Sequence, residues 1–189
     1  MKHFPHYIQH DAMDCGPTCL RMVAAYYGKR YSLEGLREKS FITREGVSML
    51  GISEAAEKIG FRSICVQVGY EKLQEAPLPC IIHRNQQHFA VVYKLNDKHV
   101  WVADPGAGKL KYTKEEFCNC WLSSRKNEED TGVALLLEPT PEFYTIEDEG
   151  DEVNRKGFSF LYSYLRPYRG LVGQLLLGLL LGSMIQLML

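Results

Sequence analysis

The sequence predicts an α+β fold, with N-terminal helices packed on an antiparallel sheet, followed by a linker and one long apolar helix. Three observations carry this. Between Cys15 and Gly60, apolar residues recur at helical spacing between capping and stop signals. From Ser63 to Glu138 they gather into short β-branched runs bounded by turns. From Gly170 to Leu189 the chain has no charged residue. Helices first and strands after suit a layered α+β arrangement rather than an alternating parallel sheet. At 189 residues, 46% hydrophobic and 24% charged, the chain fits one domain with an appendage. That composition excludes a disordered, collagen-like or disulfide-framework protein. With 22 Lys and Arg against 23 Asp and Glu, the net charge is −1. A nucleic-acid binder would show a basic excess, so no nucleic-acid partner is expected.

The first helix lies in DCGPTCLRMVAAYYG. Pro17 suits a first helical turn, where its missing N–H is not needed, which places the start near Cys15 or Gly16. Gly28 is a C-terminal stop. Ser32 caps a short second helix through Leu33 and Leu36. Ser48 caps a third, SMLGISEAAEKIG, with Leu50, Ile52, Ala55, Ala56 and Ile59 as its apolar positions and Gly60 as its end. The runs SICVQV, PCIIHR, HFAVVYKL, HVWVADP and VALLLE then read as strands.

Residues 1–138 form the expected compact domain. Residues 139–157 read as an acidic linker, opened by Pro139 and Pro141 and carrying the run EDEGDE (Glu147–Glu152). Residues 158–189 read as an interfacial segment and a membrane helix. Phe158, Phe160, Tyr162, Tyr164 and Tyr168 supply an aromatic belt, and Gly170–Leu189 is long enough as a helix to cross a hydrocarbon core of about 30 Å. The alternative, a buried core helix, is allowed by Gln174, Ser183 and Gln186 but lacks the usual polar stripe. No polar flank follows Leu189, so the chain is expected to be the front of a longer protein. Arg155, Lys156, Arg166 and Arg169 precede the helix, which by the positive-inside tendency keeps the domain on the cytoplasmic side. The N-terminus has no apolar run and is not a signal peptide. The six cysteines are then expected as free thiols. Their spacing contains no CxxC, so no structural zinc site is expected.

Cys15 draws attention by position. Free N–H groups and the positive end of the dipole at a helix start lower a thiol's pKa toward the nucleophilic thiolate. The plainer reading is a small buried hydrophobe, and for Cys19, one turn later, that structural reading is preferred. A nucleophilic cysteine needs a base. His88 opens one strand and Asp104 closes the next, with Asn96-Asp97-Lys98 as a turn between them. A hairpin centred near Asp97 sets His88 opposite about Gly106 and makes Asp104 a neighbour on the same face. A carboxylate beside an imidazole fixes its tautomer and supports the imidazolium. In chain order this is the Cys–His–Asp arrangement of a papain-like thiol hydrolase. Gln9, in the loop entering the helix, could add a side-chain N–H to the backbone N–H of Cys15 as an oxyanion donor; a lone loop Gln is otherwise a solvent-exposed residue.

The segment Gln9-His-Asp-Ala-Met-Asp14-Cys15-Gly16-Pro17-Thr18-Cys19-Leu20 resembles the signature of the C39 peptidases, the bacteriocin-processing family. The resemblance continues through Gly46–Leu50, Ile59-Gly60-Phe61, Leu78–Ile82, His88–Val92, Val102–Gly106 and Glu116-Phe117 to Trp121, and covers about residues 4–138. It implies a papain-like cysteine peptidase domain at the N-terminus of an ABC transporter. That domain cleaves a leader peptide after a double-glycine type pair, coupled to export of the cargo. It implies Cys15 as nucleophile, His88 as general base and then acid, Asp104 as the orienting carboxylate and Gln9 as the oxyanion donor. It implies no cofactor for the peptidase; ATP and Mg belong to a nucleotide-binding domain, and these residues contain no GxxxxGK[ST] motif. It further implies a multi-pass protein of the bacterial cytoplasmic membrane, working as a homodimer, with the leader peptide as partner. Two rival readings are a leader-docking module that does not cleave and a metal site built from Cys15, Cys19 and His88.

Overall fold

The computed structural model describes residues 4–41, 43, 46–85, 87–126, 129–146 and 169–188. These fall into two separate units, one within residues 1–150 and one within residues 151–189.

The first unit opens with three helices: α1 (Cys15–Tyr26), α2 (Leu33–Lys39) and α3 (Met49–Lys58). Ser32 and Ser48 cap the second and third as expected, accepting from the Gly35 and Gly51 N–H groups at 3.1 and 3.0 Å. Strands β1 (Phe61–Val68), β2 (Cys80–Arg84), β3 (His88–Leu95), β4 (His99–Asp104) and β7 (Glu129–Pro139) coincide with the five expected runs. Four more elements come from segments without an apolar run: α4 (Tyr70–Gln74), β5 (Gly108–Thr113), α5 (Lys114–Trp121) and β6 (Ser124–Lys126). Every described strand pairing is antiparallel, in the order β1-β7-β2-β3-β4-β5, with β6 beside β7.

The sheet is buried on both faces, where helices on one face were expected. Ile81, Phe89, Val91 and Leu135 pack under Leu20, Val23 and Ile52 of α1 and α3. Their alternate neighbours Ile82, Ala90, Val92 and Ala134 pack with Phe117 and Trp121 of α5 and Leu73 of α4. Strands covered on both sides read as near-continuous apolar runs, which is why these were visible as runs and not as alternations.

Two expectations are corrected. Leu50 is not a core position of α3: it is 67% exposed, while Ile52, Ala55 and Ala56 are fully buried. Residues 139–146 belong to the fold and not to the linker. Pro139 pairs with Phe61, and α6 (Pro141–Thr145) buries Phe143 completely against Phe61, ring centroids 4.5 Å apart. Gly60 makes this possible: at φ +90 a side chain is disfavoured, and a Cβ there would come within 2.5 Å of the Phe143 backbone. The charge run at 147–152, the aromatic segment 158–168 and the basic residues Arg155, Lys156 and Arg166 lie outside the described residues.

The second unit contains one helix, α7 (Arg169–Met188), of 20 residues. Leu179, Leu180 and Met184 are exposed on it. Counted over the described side chains alone, no helix is long and apolar enough to cross a membrane.

Candidate active site

The helical side of the site is assembled from neighbouring residues. A 3-10 turn, Ala12–Asp14, precedes α1 and runs directly into it. Asp11 caps this turn by accepting from the Met13 N–H at 3.2 Å, and Asp14 accepts in return from the Asp11 N–H at 3.2 Å. Cys15 therefore lies one turn inside a continuous helical run, not at its bare start. Asp14 is fully buried, and its carboxylate takes a bidentate pair from Arg37 of α2, Nε at 2.6 Å and Nη2 at 2.9 Å. Gly16 admits close packing: a Cβ there would fall 2.3 Å from Val47 and 2.7 Å from Ile52.

The sheet side is set by register. Val91 pairs with Ala103 at the end of the β3–β4 ladder, and His88 and Asp104 meet just beyond it. The hairpin is not regular throughout, because a bulge between Val92 and Lys94 shifts its far end by one residue. His88 Nε2 donates to Asp104 Oδ1 at 2.8 Å, and the same oxygen accepts from the N–H groups of Gly106 at 2.8 Å and Ala107 at 3.1 Å. Burial alone would raise the Asp104 carboxyl. The bond from His88, those from Gly106 and Ala107 and the imidazolium charge overcome it and leave it below its ordinary value. His88 is raised to about 9, first by its hydrogen bond to Asp104, then by one to Cys15, against the opposing effect of burial. With Nε2 occupied by Asp104, Nδ1 is the ring nitrogen left for the Cys15 sulfur. The ring is thus an imidazolium at neutral pH, in contact with both partners.

Gln9 arrives through the N-terminal segment. Its N–H donates to the Pro105 carbonyl at 3.0 Å, His6 Nε2 donates to the Asp104 carbonyl at 2.9 Å, and Lys109 Nζ donates to the Phe4 carbonyl. Gln9 is half-buried beside Gly106, and its Oε1 is buried with no hydrogen-bond partner among the described residues. Cys15, His88, Asp104 and Gln9 therefore converge at one end of the sheet. Cys19 is set apart: fully buried, its thiol is pushed well up by burial first, then by the charges of Cys15 and Asp104.

A cleft of about 560 Å³ opens beside Cys15, walled by Met13, Val47, Met49, His83 and Phe89. His83 stacks on Phe89 at 4.6 Å, and burial and then the His88 charge hold its pKa below the ordinary imidazole value. A comparable hollow of about 530 Å³ beside α5 and β6 contains none of the four converging residues. Among the described residues, no group of three or more His, Cys, Asp or Glu could hold a metal ion. Sequence reasoning missed Arg84, which lies 3.4 Å from Asp104 Oδ2, and the Asp14–Arg37 pair. The signal for Arg84 was its place at the end of PCIIHR, directly across a short turn from His88.

The Peptidase C39 family matches residues 3–142. The chain is 37% identical over 141 residues to the lactococcin-G-processing and transport ATP-binding protein LagD of Lactococcus lactis subsp. lactis, covering 71% of this chain and 19% of that protein. It is 32% identical over 185 residues to the transport/processing ATP-binding protein ComA of Streptococcus pneumoniae, covering 95% of this chain and 24% of that protein. The chain thus spans about a quarter or less of the length of these curated relatives. Among solved structures, a double glycine motif protease from an AMS/PCAT transporter, in complex with the leader peptide, is 34% identical with a TM-score of 0.63, covering 72% of this chain and 91% of that one. The peptidase domain of Streptococcus ComA is 32% identical with a TM-score of 0.62, covering 73% and 100%. The chain belongs to the Peptidase C39 family, whose domains in ComA-like transporters are cysteine peptidases.

Proposed function

We propose that the chain is a cysteine endopeptidase that cuts a leader peptide after its double-glycine pair, within a transporter that exports the released cargo. The observation that carries this is the contact of His88 with both Asp104, at 2.8 Å, and Cys15. Cys15, paired with the His88 imidazolium, attacks the carbonyl carbon of the second glycine. The carbonyl oxygen takes the charge, and the Gln9 side-chain N–H and the Cys15 backbone N–H face it. His88 passes its proton to the leaving amine, which departs with the cargo and leaves a thioester on Cys15. His88 then removes a proton from water, which hydrolyses the thioester and frees the leader. Asp104 holds the ring in the tautomer and orientation both steps need. The glycines are required because a side chain there would collide with a narrow cleft. No cofactor enters these steps.

The leader-bound neighbour supports a leader peptide as partner, and the relatives support a membrane transporter of the bacterial cytoplasmic membrane. In this reading α7 is the first membrane helix. Beyond Arg169 it lies within the charge-free run Gly170–Leu189, and its exposed Leu179, Leu180 and Met184 suit a lipid surround. The peptidase domain faces the cytoplasm, the transporter is a homodimer, and ATP and Mg serve its nucleotide-binding domain.

Mass spectrometry of a synthetic double-glycine precursor after incubation with the chain tests the proposal. Two products divided after the second glycine are expected. Replacing that glycine by Val should stop cleavage, and Cys15→Ser should bind the precursor without cutting it. Binding by the wild-type chain with no cleavage would assign it instead to leader docking alone.

A further inference from the structure

The two oxygens of the Asp104 carboxylate are held very differently. Oδ1 accepts from His88, Gly106 and Ala107 at 2.8, 2.8 and 3.1 Å. Oδ2 faces Arg84 Nη1 at 3.4 Å. Asp104 is 2% exposed, so Oδ2 has little access to water. A carboxylate buried without a compensating partner is costly. The Cβ–Cγ torsion is broad, so a carboxylate anchored through one oxygen alone can turn.

Arg84 is itself fixed at that position. It pairs directly with His88 across β2 and β3, on the face of the sheet that also carries Ala90, Val92 and Val102. Its Nη1 donates to the Tyr112 hydroxyl at 2.7 Å, on the neighbouring strand to Asp104. Its Nε is buried with no hydrogen-bond partner among the described residues. A buried unpaired donor costs stability, so packing alone does not account for an arginine here.

We propose that Arg84, steadied by Tyr112, is a positioning residue for cleavage: it holds the second oxygen of Asp104 so that the first stays aligned on His88. This rests on the catalytic reading of Cys15, His88 and Asp104 given above. In this reading Arg84 acts only through Asp104.

The test is a double-mutant cycle in the full chain. Arg84→Met keeps the aliphatic stem and removes the guanidinium. The expected result is a fall in kcat of about 10–100-fold, the scale on which a small misplacement of a catalytic group acts, with KM for the precursor peptide essentially unchanged. Arg84→Lys should recover part of the loss, and Tyr112→Phe should cost only about threefold. In the Asp104→Asn background, Arg84→Met should cost nothing further, whereas a merely structural role adds its penalty in both backgrounds. The rate of Cys15 alkylation by iodoacetamide near neutral pH should fall in the same order. That readout needs no substrate, so a wild-type chain that cuts no double-glycine peptide counts against the proposed function and leaves the Arg84 assignment to be decided by alkylation. Wild-type alkylation by Arg84→Met, or equal losses with and without Asp104→Asn, overturns it. Should thermal melting show Arg84→Met unfolded, Arg84→Lys and Tyr112→Phe in the two backgrounds decide by the same criterion.

Discussion

The helical side of the site is built mostly from short-range contacts, the sheet side from long-range ones. Asp11, Asp14, Cys15 and Gly16 occupy one turn and the helix start that follows it, with a capping box joining Asp11 to Asp14, 3 residues apart. The longer reaches on this side are the Asp14–Arg37 bond, 23 residues along the chain, and the close packing of Gly16 on Val47 and Ile52. On the sheet side, His88 and Asp104 are 16 residues apart, Arg84 and Tyr112 are 28 apart, and His6 is 98 residues from Asp104. A turn can place a side chain by its own torsions. A sheet places one only when several strands agree on register, since a slip of one residue turns every side chain to the other face. The nucleophile's position is therefore locally robust, and the electrostatics that make it useful depend on the whole sheet.

The largest expected effect falls on the sheet side. His88→Ala should reduce single-turnover cleavage of a double-glycine precursor by about 10²–10⁴-fold, the range for general acid–base catalysis. Asp104→Asn should retain a trace of activity from a misoriented ring. It should also move the alkaline limb of the kcat/KM profile. In the wild-type chain that limb should lie near pH 9, where His88 loses its proton. Without Asp104, its first source of support, the limb should fall toward the free imidazole value of about 6.5. The same linkage has a stability counterpart. The raised His88 contributes stability fully below about pH 6.5, lost as pH rises through about 9. The depressed Asp104 contributes above about 3.9, lost as pH falls through its lowered value. A limb that stays near 9 in Asp104→Asn would break the contrast drawn here.

Phe143→Ala comes next. If residues 139–146 are part of the fold, removing this fully buried ring should cost about 3–5 kcal/mol in denaturant unfolding. A tether residue would cost almost nothing. Arg37→Met sharpens the comparison from the helical side. It leaves Asp14 buried and unpaired at a cost of about 2–3 kcal/mol, below that of breaking a fully buried pair because Arg37 is 39% exposed. Its alkaline limb should stay near pH 9, because His88 and Asp104 keep their contacts. Leu50→Ser is the smallest, within about 0.5 kcal/mol by thermal melting, because Leu50 is 67% exposed.

The sequence by itself determined the elements with strong local signals. Ser32 and Ser48 as caps, Gly28 and Gly60 as stops and five apolar runs were legible because each acts within a few residues. The convergence of Cys15 with His88, Asp104 and Gln9 was legible in part, because a single hairpin centre fixes which residues face each other near its open end. Helix α5 was not: in KEEFCNCW only Phe117 and Trp121 are buried, too few to stand out until a sheet face exists to receive them. Nor did Leu50 differ in type from the buried Ile52; the neighbours that cover one and not the other come from distant segments. Arg84 beside Asp104, the bulge between Val92 and Lys94 and the N-terminal segment that delivers Gln9 to Pro105 were decided by tertiary structure alone. Each depends on the pairing of strands or loops far apart in the chain, and no local torsional or hydrophobic preference encodes such a pairing.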